Sequence, residues 1–249
     1  MDDPQQPNST DNSRKWTFSP AADHGLGPVE HLRSVKREAG LLSVLTRAIT
    51  NFALLASMKV YHRLSATGLE NLPKGPPFIM IANHSSHIDV LCLALALPHR
   101  LRTTTYPIAA GDLFFTTAAT SALTALFINA LPLWRKKITT HALDELRERI
   151  QQGDCAYILF PEGALTRDGN LGTWKAGLGR LIAETNVPVL PCYLDGPYRA
   201  MPWNTLIPRP KKITIHIGPL LSFKDTPNTR EGWQQVADIT REAVLKLKP

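Results

Sequence analysis

The residues Asn83-His84-Ser85-Ser86-His87-Ile88-Asp89 stand between two apolar runs, Ile79 to Ala82 before them and Val90 to Leu97 after. His84 is a natural proton acceptor, and Asp89 supplies a carboxylate five residues on. A carboxylate that fixes an imidazole tautomer and stabilises its protonated form makes a general-base dyad. Two positions with that separation lie about 140° apart around an ideal helix, so the pair can meet only if the chain turns between them. A strand-to-helix junction supplies such a turn. Two other readings stay open from these residues alone. Ser85, Ser86 and Asp89 would cap a helix while His84 is a satisfied turn residue, or His84, His87 and Asp89 would ligate a metal ion. No other residues complete a metal site, so none is expected.

The elements around this turn read as α/β. The run before it is short, Ile-rich and set off by Pro76-Pro77, the pattern of a buried strand. The run after it has helical composition. In open α/β sheets, sites form at the carboxyl ends of strands. Further strands are predicted at Leu101 to Ala110, Leu126 to Leu133, Cys155 to Phe160, Val187 to Leu194 and Ile213 to Ile217. Pro188 and Pro191 mark Val187 to Leu194 as an edge or irregular strand. Helices are predicted at Asp112 to Ala125, at Ile138 to Gln152 with Thr139 or Thr140 as cap and Gly153 as stop, up to about Asn186, and at Arg230 to Leu247. This alternation predicts a single α/β domain with a mixed, mainly parallel sheet flanked by helices. Polar turns follow strands at His84, Arg135 and Glu162, and converge on one sheet edge if those strands run the same way. The cluster Arg135-Lys136-Lys137 reads either as a grip on an anionic group or as a solvated turn.

Residues 1–37 are polar and carry Pro4, Pro7, Pro20 and Pro28, which predicts a disordered tail. Residues 38–66 carry an amphipathic helix with Leu41, Leu45, Phe52, Leu55 and Val60 on its apolar side. Arg47 interrupts it, and a span needs about 20 apolar residues. It is expected to lie in a membrane interface, flanked by Arg33, Lys36, Arg37, Lys59 and Arg63, or else to pack on the domain. The net charge of +7 favours an anionic partner. Nucleic acid is not the expected one, because basic and aromatic residues do not interleave. Cys92, Cys155 and Cys192 lie in apolar runs without a Cys-x-x-Cys pair and read as buried free thiols.

Taken together, Asn83-His84 with Asp89, Phe160-Pro161-Glu162-Gly163 about seventy residues later, and Val187-Pro188-Val189-Leu190-Pro191 after that resemble the glycerolipid acyltransferases, the 1-acyl-sn-glycerol-3-phosphate acyltransferase-like family. The resemblance covers roughly Gly68 to Leu220, which makes residues 67–249 the acyltransferase domain. Arg167-Asp168-Gly169 and Trp174-Lys175-x-Gly177 also sit where family members carry an Arg-Asp-Gly and an aromatic-Lys-x-Gly. The resemblance implies transfer of a fatty acyl group from an acyl thioester, acyl-CoA or acyl-ACP (acyl carrier protein), to a hydroxyl of a lysolipid acceptor in phospholipid biosynthesis. The thioester is a co-substrate and no bound cofactor is implied. His84 would take the hydroxyl proton, Asp89 would hold His84 in place and stabilise the imidazolium, and backbone N–H groups near a helix start would stabilise the oxyanion. Such base catalysis is worth roughly 100- to 10,000-fold. Asn83, Arg135, Glu162, Gly163, Arg167 and Lys175 are the substrate-binding residues implied. The implied setting is the cytoplasmic face of a membrane, peripheral or monotopic, with an anionic membrane surface as partner.

One position departs from the family's Phe-Pro-Glu-Gly-Thr-Arg-Ser. Here Ala164-Leu165-Thr166 follow Gly163, so Leu165 stands where the family has Arg. A guanidinium that would grip phosphate in two places is replaced by an apolar side chain. That implies an acceptor less dependent on a phosphate clamp at this point: a lysophospholipid with another head group, or another hydroxylated or aminated lipid. A thioester hydrolase and a non-catalytic lipid-binding module are the competing classes.

Overall fold

The computed structural model describes residues 24–35, 37, 41–134, 140–205 and 207–249. In chain order, helices α1 (Pro28–Arg33) and α2 (Leu41–Tyr61) precede strands β1 (Ser65–Thr67) and β2 (Phe78–Ala82). Helices α3 (Asp89–Ala96) and α4 (His99–Arg102) lead to β3 (Thr105–Ala110), and α5 (Gly111–Phe114) and α6 (Ala118–Phe127) to β4 (Leu131–Leu133). Then come α7 (Thr140–Gln151), β5 (Ala156–Leu159), α8 (Gly177–Ile182), β6 (Val189–Asp195), α9 (Pro197–Ala200), β7 (Thr214–Ile217) and α10 (Arg230–Leu245).

The strands form one sheet in the order β1-β7-β6-β2-β5-β3-β4, in which only β6 and β7 pair antiparallel. This is the mixed, mainly parallel α/β sheet the sequence predicts. Side-chain alternation along the central strands builds two core layers. Phe78, Met80 and Ala82 of β2 join Cys92, Leu93 and Met58 on one face. Ile79 and Ile81 join Leu146, Ile150, Leu178 and Val236 on the other. All five β2 residues are fully buried, and each large apolar side chain so buried stabilises the fold by about 1.5–3 kcal/mol. The three cysteines are free and buried.

Several elements differ from the sequence prediction, each for a physical reason. Strand β6 is interior, between β2 and β7, rather than an edge. It tolerates Pro191 because that residue faces the β7 side just beyond the ladder, where its carbonyl still accepts from Gly218 N at 2.8 Å. The predicted strand at Leu101 begins only at Thr105. Pro98 starts a helical turn, from which Arg102 donates to the carbonyls of Ala94, Leu95 and Leu97 at the end of α3. The predicted strand at Leu126 shortens to Leu131–Leu133, because α6 runs on to Phe127 and Asn129, at φ 61°, turns the chain. The predicted helix from Asp112 is broken near Phe115. Strand β1, too short to show a pattern, was not visible in the sequence. Within the span read as a tail, Pro28–Arg33 is helical, with Arg33 donating to Ser121 Oγ at 3.2 Å and to Thr116 O at 2.9 Å.

Candidate active site

Strands β2 and β5 are parallel neighbours, so the segments that leave their carboxyl ends lie side by side. The β2 exit is the turn from Asn83 to Ile88, and Asp89 is the first residue of α3. This turn brings His84 back over Asp89, with Nδ1 3.0 Å from Asp89 Oδ2. Nδ1–H therefore donates to the carboxylate, which leaves Nε2 as the basic nitrogen. The carboxylate is fully buried, while the imidazole keeps 22% of its side-chain surface in solvent. Asp89 Oδ2 also accepts from Ser85 N at 2.6 Å and Ser86 N at 2.8 Å. One carboxylate oxygen thus serves both the imidazole and the turn before α3, whereas the N-cap position of α3, Ile88, makes no side-chain cap hydrogen bond. Burial raises the Asp89 carboxyl above the ordinary range, opposed by its bonds to His84, Ser86 and Ser85. Among the described residues, Asp89 Oδ1 has no hydrogen-bond partner, and all three donors to the carboxylate, the imidazole N–H and the N–H groups of Ser85 and Ser86, meet Oδ2. Among the described residues, no group of three or more His, Cys, Asp or Glu side chains could hold a metal ion.

The β5 exit holds the same turn from the other side. Phe160 stacks on the His84 ring, with centroids 4.0 Å apart and planes 16° from parallel. Glu162 Oε1 accepts from His84 N at 2.8 Å, and Oε2 accepts from Gly172 N at 2.9 Å. Thr166 N donates to His84 O at 2.9 Å. Residues 160–166 thereby grip both backbone groups of His84 and one face of its ring. Burial pushes the Glu162 carboxyl up, while the N–H groups of His84 and Gly172 pull it down. Gly163 turns the chain at φ 73°, and a Cβ there would lie 2.7 Å from Lys175 Nζ. The missing side chain lets Lys175 cross the turn, anchored by its own N–H to Pro161 O at 2.9 Å.

These contacts revise several roles expected of the sequence. Asn83 is buried, with Nδ2 donating to Leu194 O at 3.1 Å and Oδ1 accepting from Leu194 N at 2.8 Å. It braces β2 against β6 instead of facing a substrate. Both oxygens of Glu162 are likewise engaged by backbone rather than turned outward. The N–H groups of His84, Ser85 and Ser86 are taken by Glu162 and Asp89, so these helix-start donors do not form an oxyanion site. Arg167 is exposed and lies with its guanidinium 5.5 Å from the Trp203 ring centroid. Leu165 is half-buried. Arg135 lies outside the described residues.

An apolar pocket of about 140 Å3 lies beneath the same turn, lined by Leu143, Leu159, Phe160, Leu178 and Leu181 with Lys175 at its rim. Phe160 lines this pocket and also stacks on the His84 ring. The sequence motif contains Phe160, yet its role as a stacking partner was missed. The signal was its position at the end of the strand predicted at Cys155 to Phe160, directly before the turn that carries Glu162.

The Acyltransferase family profile matches residues 63–195, more than half of the chain and the whole of this arrangement up to the end of β6. The chain belongs to the Acyltransferase family. It is similar to the chloroplastic 1-acyl-sn-glycerol-3-phosphate acyltransferase of Brassica napus, 30% identical over 60% of this chain and 42% of that protein. It is also similar to the Homo sapiens 1-acyl-sn-glycerol-3-phosphate acyltransferase alpha, 25% identical over 53% of this chain and 46% of that one. The chain spans less than half the length of these curated relatives. Among solved structures, the 1-acyl-sn-glycerophosphate acyltransferase PlsC of Thermotoga maritima is similar, with TM-score 0.60 and 25% identity over 81% of this chain and 80% of that one. Among the described residues, no helix of this acyltransferase-family chain is long and apolar enough to cross a membrane.

Proposed function

We propose that this chain transfers a fatty acyl group from acyl-CoA or acyl-ACP to a hydroxyl of a lysophospholipid such as 1-acyl-sn-glycerol-3-phosphate, in phospholipid biosynthesis. The observation that carries the reading is the His84–Asp89 pair: Nδ1 is held by a buried carboxylate and Nε2 is left to face a substrate. In this mechanism His84 Nε2 takes the acceptor hydroxyl proton as the oxygen attacks the thioester carbonyl. Asp89 stabilises the imidazolium, which returns its proton to the departing thiolate as the tetrahedral adduct collapses. The stacked Phe160 ring and the Glu162 bond fix the imidazole before substrate arrives, so the geometry need not be found during reaction. The apolar pocket behind Phe160 suits a stretch of methylene chain, and Lys175 at its rim suits an anionic group.

The half-buried Leu165 favours a second acceptor class, a lipid whose head group needs no guanidinium clamp there. The outer face of α2 carries exposed Ile49 and Phe52, which supports docking on the cytoplasmic face of a membrane as a peripheral or monotopic protein. Free-thiol release from acyl-CoA and from acyl-ACP, with and without 1-acylglycerol-3-phosphate or other lysolipids, tests the proposal. Acceptor-dependent release that disappears in His84→Ala is the expected result. Release independent of acceptor would make the chain a hydrolase, and no His84-dependent release from either carrier would sink the reading.

A further inference from the structure

Two exposed segments of one charge sign meet beside the mouth of the site. The first is the outer face of α2, where Ile49, Phe52 and Val60 are 66%, 77% and 81% exposed while Leu54, Leu55 and Met58 face the core. The second is the connection between α9 and β7, residues 201–205 and 207–212. Trp203 is 45% and Ile207 82% exposed there, beside exposed Arg209, Lys211 and Lys212. The two segments are tied at the end of α2. The Tyr61 hydroxyl donates to Pro208 O at 3.0 Å, Arg63 donates to Pro210 O at 3.4 Å, and His62 Nδ1 meets Lys211 O at 3.2 Å. Neither residues 39–69 nor residues 196–224 contain an Asp or Glu. Asp195, at the border of the second segment, is paired with Arg199 at 3.0 Å. The connection also reaches the catalytic turn: Met201 O accepts from the Ser86 hydroxyl at 2.6 Å, and Trp203 lies against the Arg167 guanidinium.

We propose that the connection bearing Trp203, Ile207, Arg209, Lys211 and Lys212 is a second membrane contact, which with α2 docks the chain on an anionic lipid bilayer beside the His84 mouth. An indole with an apolar body and a polar edge suits the boundary between headgroups and acyl chains. Pro202, Pro208 and Pro210 fix φ at their positions and present the neighbouring side chains with little ordering left to do on contact. A surface without carboxylates across two tied segments complements phosphate headgroups. The proposal deepens the acyl-transfer reading, because a lysolipid acceptor resides in that bilayer, but its test needs no turnover.

The test uses the full chain and vesicles of phosphatidylcholine with or without phosphatidylglycerol. Arg209→Gln/Lys211→Gln/Lys212→Gln should weaken sedimentation with phosphatidylglycerol vesicles about a hundredfold and leave binding to pure phosphatidylcholine near that of the parent chain. A dye that reports polarity, placed at Ile207→Cys, should shift to the blue on these vesicles and be quenched by spin-labelled lipid. The same dye at Lys248→Cys should stay in water. A dye at Ile207→Cys that remains in water while one at Phe52→Cys enters lipid overturns the proposal, because α2 then docks alone. Unchanged affinity of the triple variant, or a blue shift with rising protein concentration and no lipid, also overturns it. Docking as expected without His84-dependent thiol release would leave this surface standing and remove the acyl-transfer reading. Release from micelle-dispersed lysolipid without docking would remove only this proposal.

Discussion

Replacing Glu162 by Gln keeps the side chain's shape and changes what it can accept. Oε1 takes the His84 N–H at 2.8 Å and Oε2 takes the Gly172 N–H at 2.9 Å, in a position only 9% exposed. A carboxamide offers one oxygen and one NH2, so one of these backbone N–H groups is left facing a second donor. An orphaned buried donor costs about 1–3 kcal/mol. Against this, the variant no longer buries a charge that burial penalises. The two effects oppose each other and should leave Tm within about 4 °C of the parent, a net change of roughly 1 kcal/mol. Turnover has no such offset. A His84 peptide freed on one side misplaces Nε2, and an error of about 1 Å in a reacting group costs up to roughly 100-fold. Acceptor-dependent thiol release at saturating thioester should therefore show kcat reduced about 10- to 100-fold, with the acceptor KM within about twofold. Thermal melts of the same preparations check that the fold persists. A raised acceptor KM with unchanged kcat would refute the reasoning, since it would mean that Glu162 binds the acceptor and does not position the base.

Three further outcomes follow from the same geometry. Burial raises the Asp89 carboxyl, so between the ordinary carboxylate range and the raised folded value the folded chain keeps a proton that the unfolded chain has released; the stability this adds is fully present below the ordinary range and is lost as pH rises through the folded value. The difference in urea midpoint between the parent and Asp89→Asn should move in favour of the variant between about pH 4 and pH 7, and the opposite drift contradicts the burial argument. Leu165→Arg should lower the KM for 1-acylglycerol-3-phosphate relative to a lysolipid without a terminal phosphate; equal KM values would place the phosphate elsewhere. Gly179→Ala would put a Cβ 2.3 Å from Trp233 Cα, where α8 and α10 cross, and overpacking of about 3 kcal/mol should lower Tm by roughly 6–12 °C.

The central part of this fold was legible because its strands are short apolar runs bounded by punctuation. Pro76-Pro77 opens β2, Pro161 and Gly163 close β5, and Thr229 caps α10 with an oxygen that accepts from Gly232 N at 3.3 Å. What stayed hidden depended on long-range partners. No local pattern shows that Pro191 would sit just beyond the β7 ladder, or that Arg102 would close the end of α3 and force a helical turn at Leu101. In the site, residue types marked His84, Asp89 and Glu162 correctly as neighbours. They could not say that Glu162 would face two backbone N–H groups, because Gly172 lies ten residues further on in a loop without periodicity. Asn83 was misread for the same reason, since Leu194 is 111 residues away.

The grip of residues 160–166 on His84 also orders events in time. The hydrogen bond between His84 and Glu162 joins positions 78 residues apart. At a synthesis rate of about 5–20 residues per second, the ribosome needs roughly 4–16 s to deliver the second after the first. A nascent chain ending near residue 155 therefore carries the histidine and the aspartate but not Phe160, Glu162 or Thr166, which hold the ring and backbone of His84 from the β5 side. The hold on His84 from residues 160–166 can form only once β5 has paired with β2. A fragment ending there should be silent, and a complementing fragment that begins near residue 154 should restore activity only if it adds its strand to the sheet.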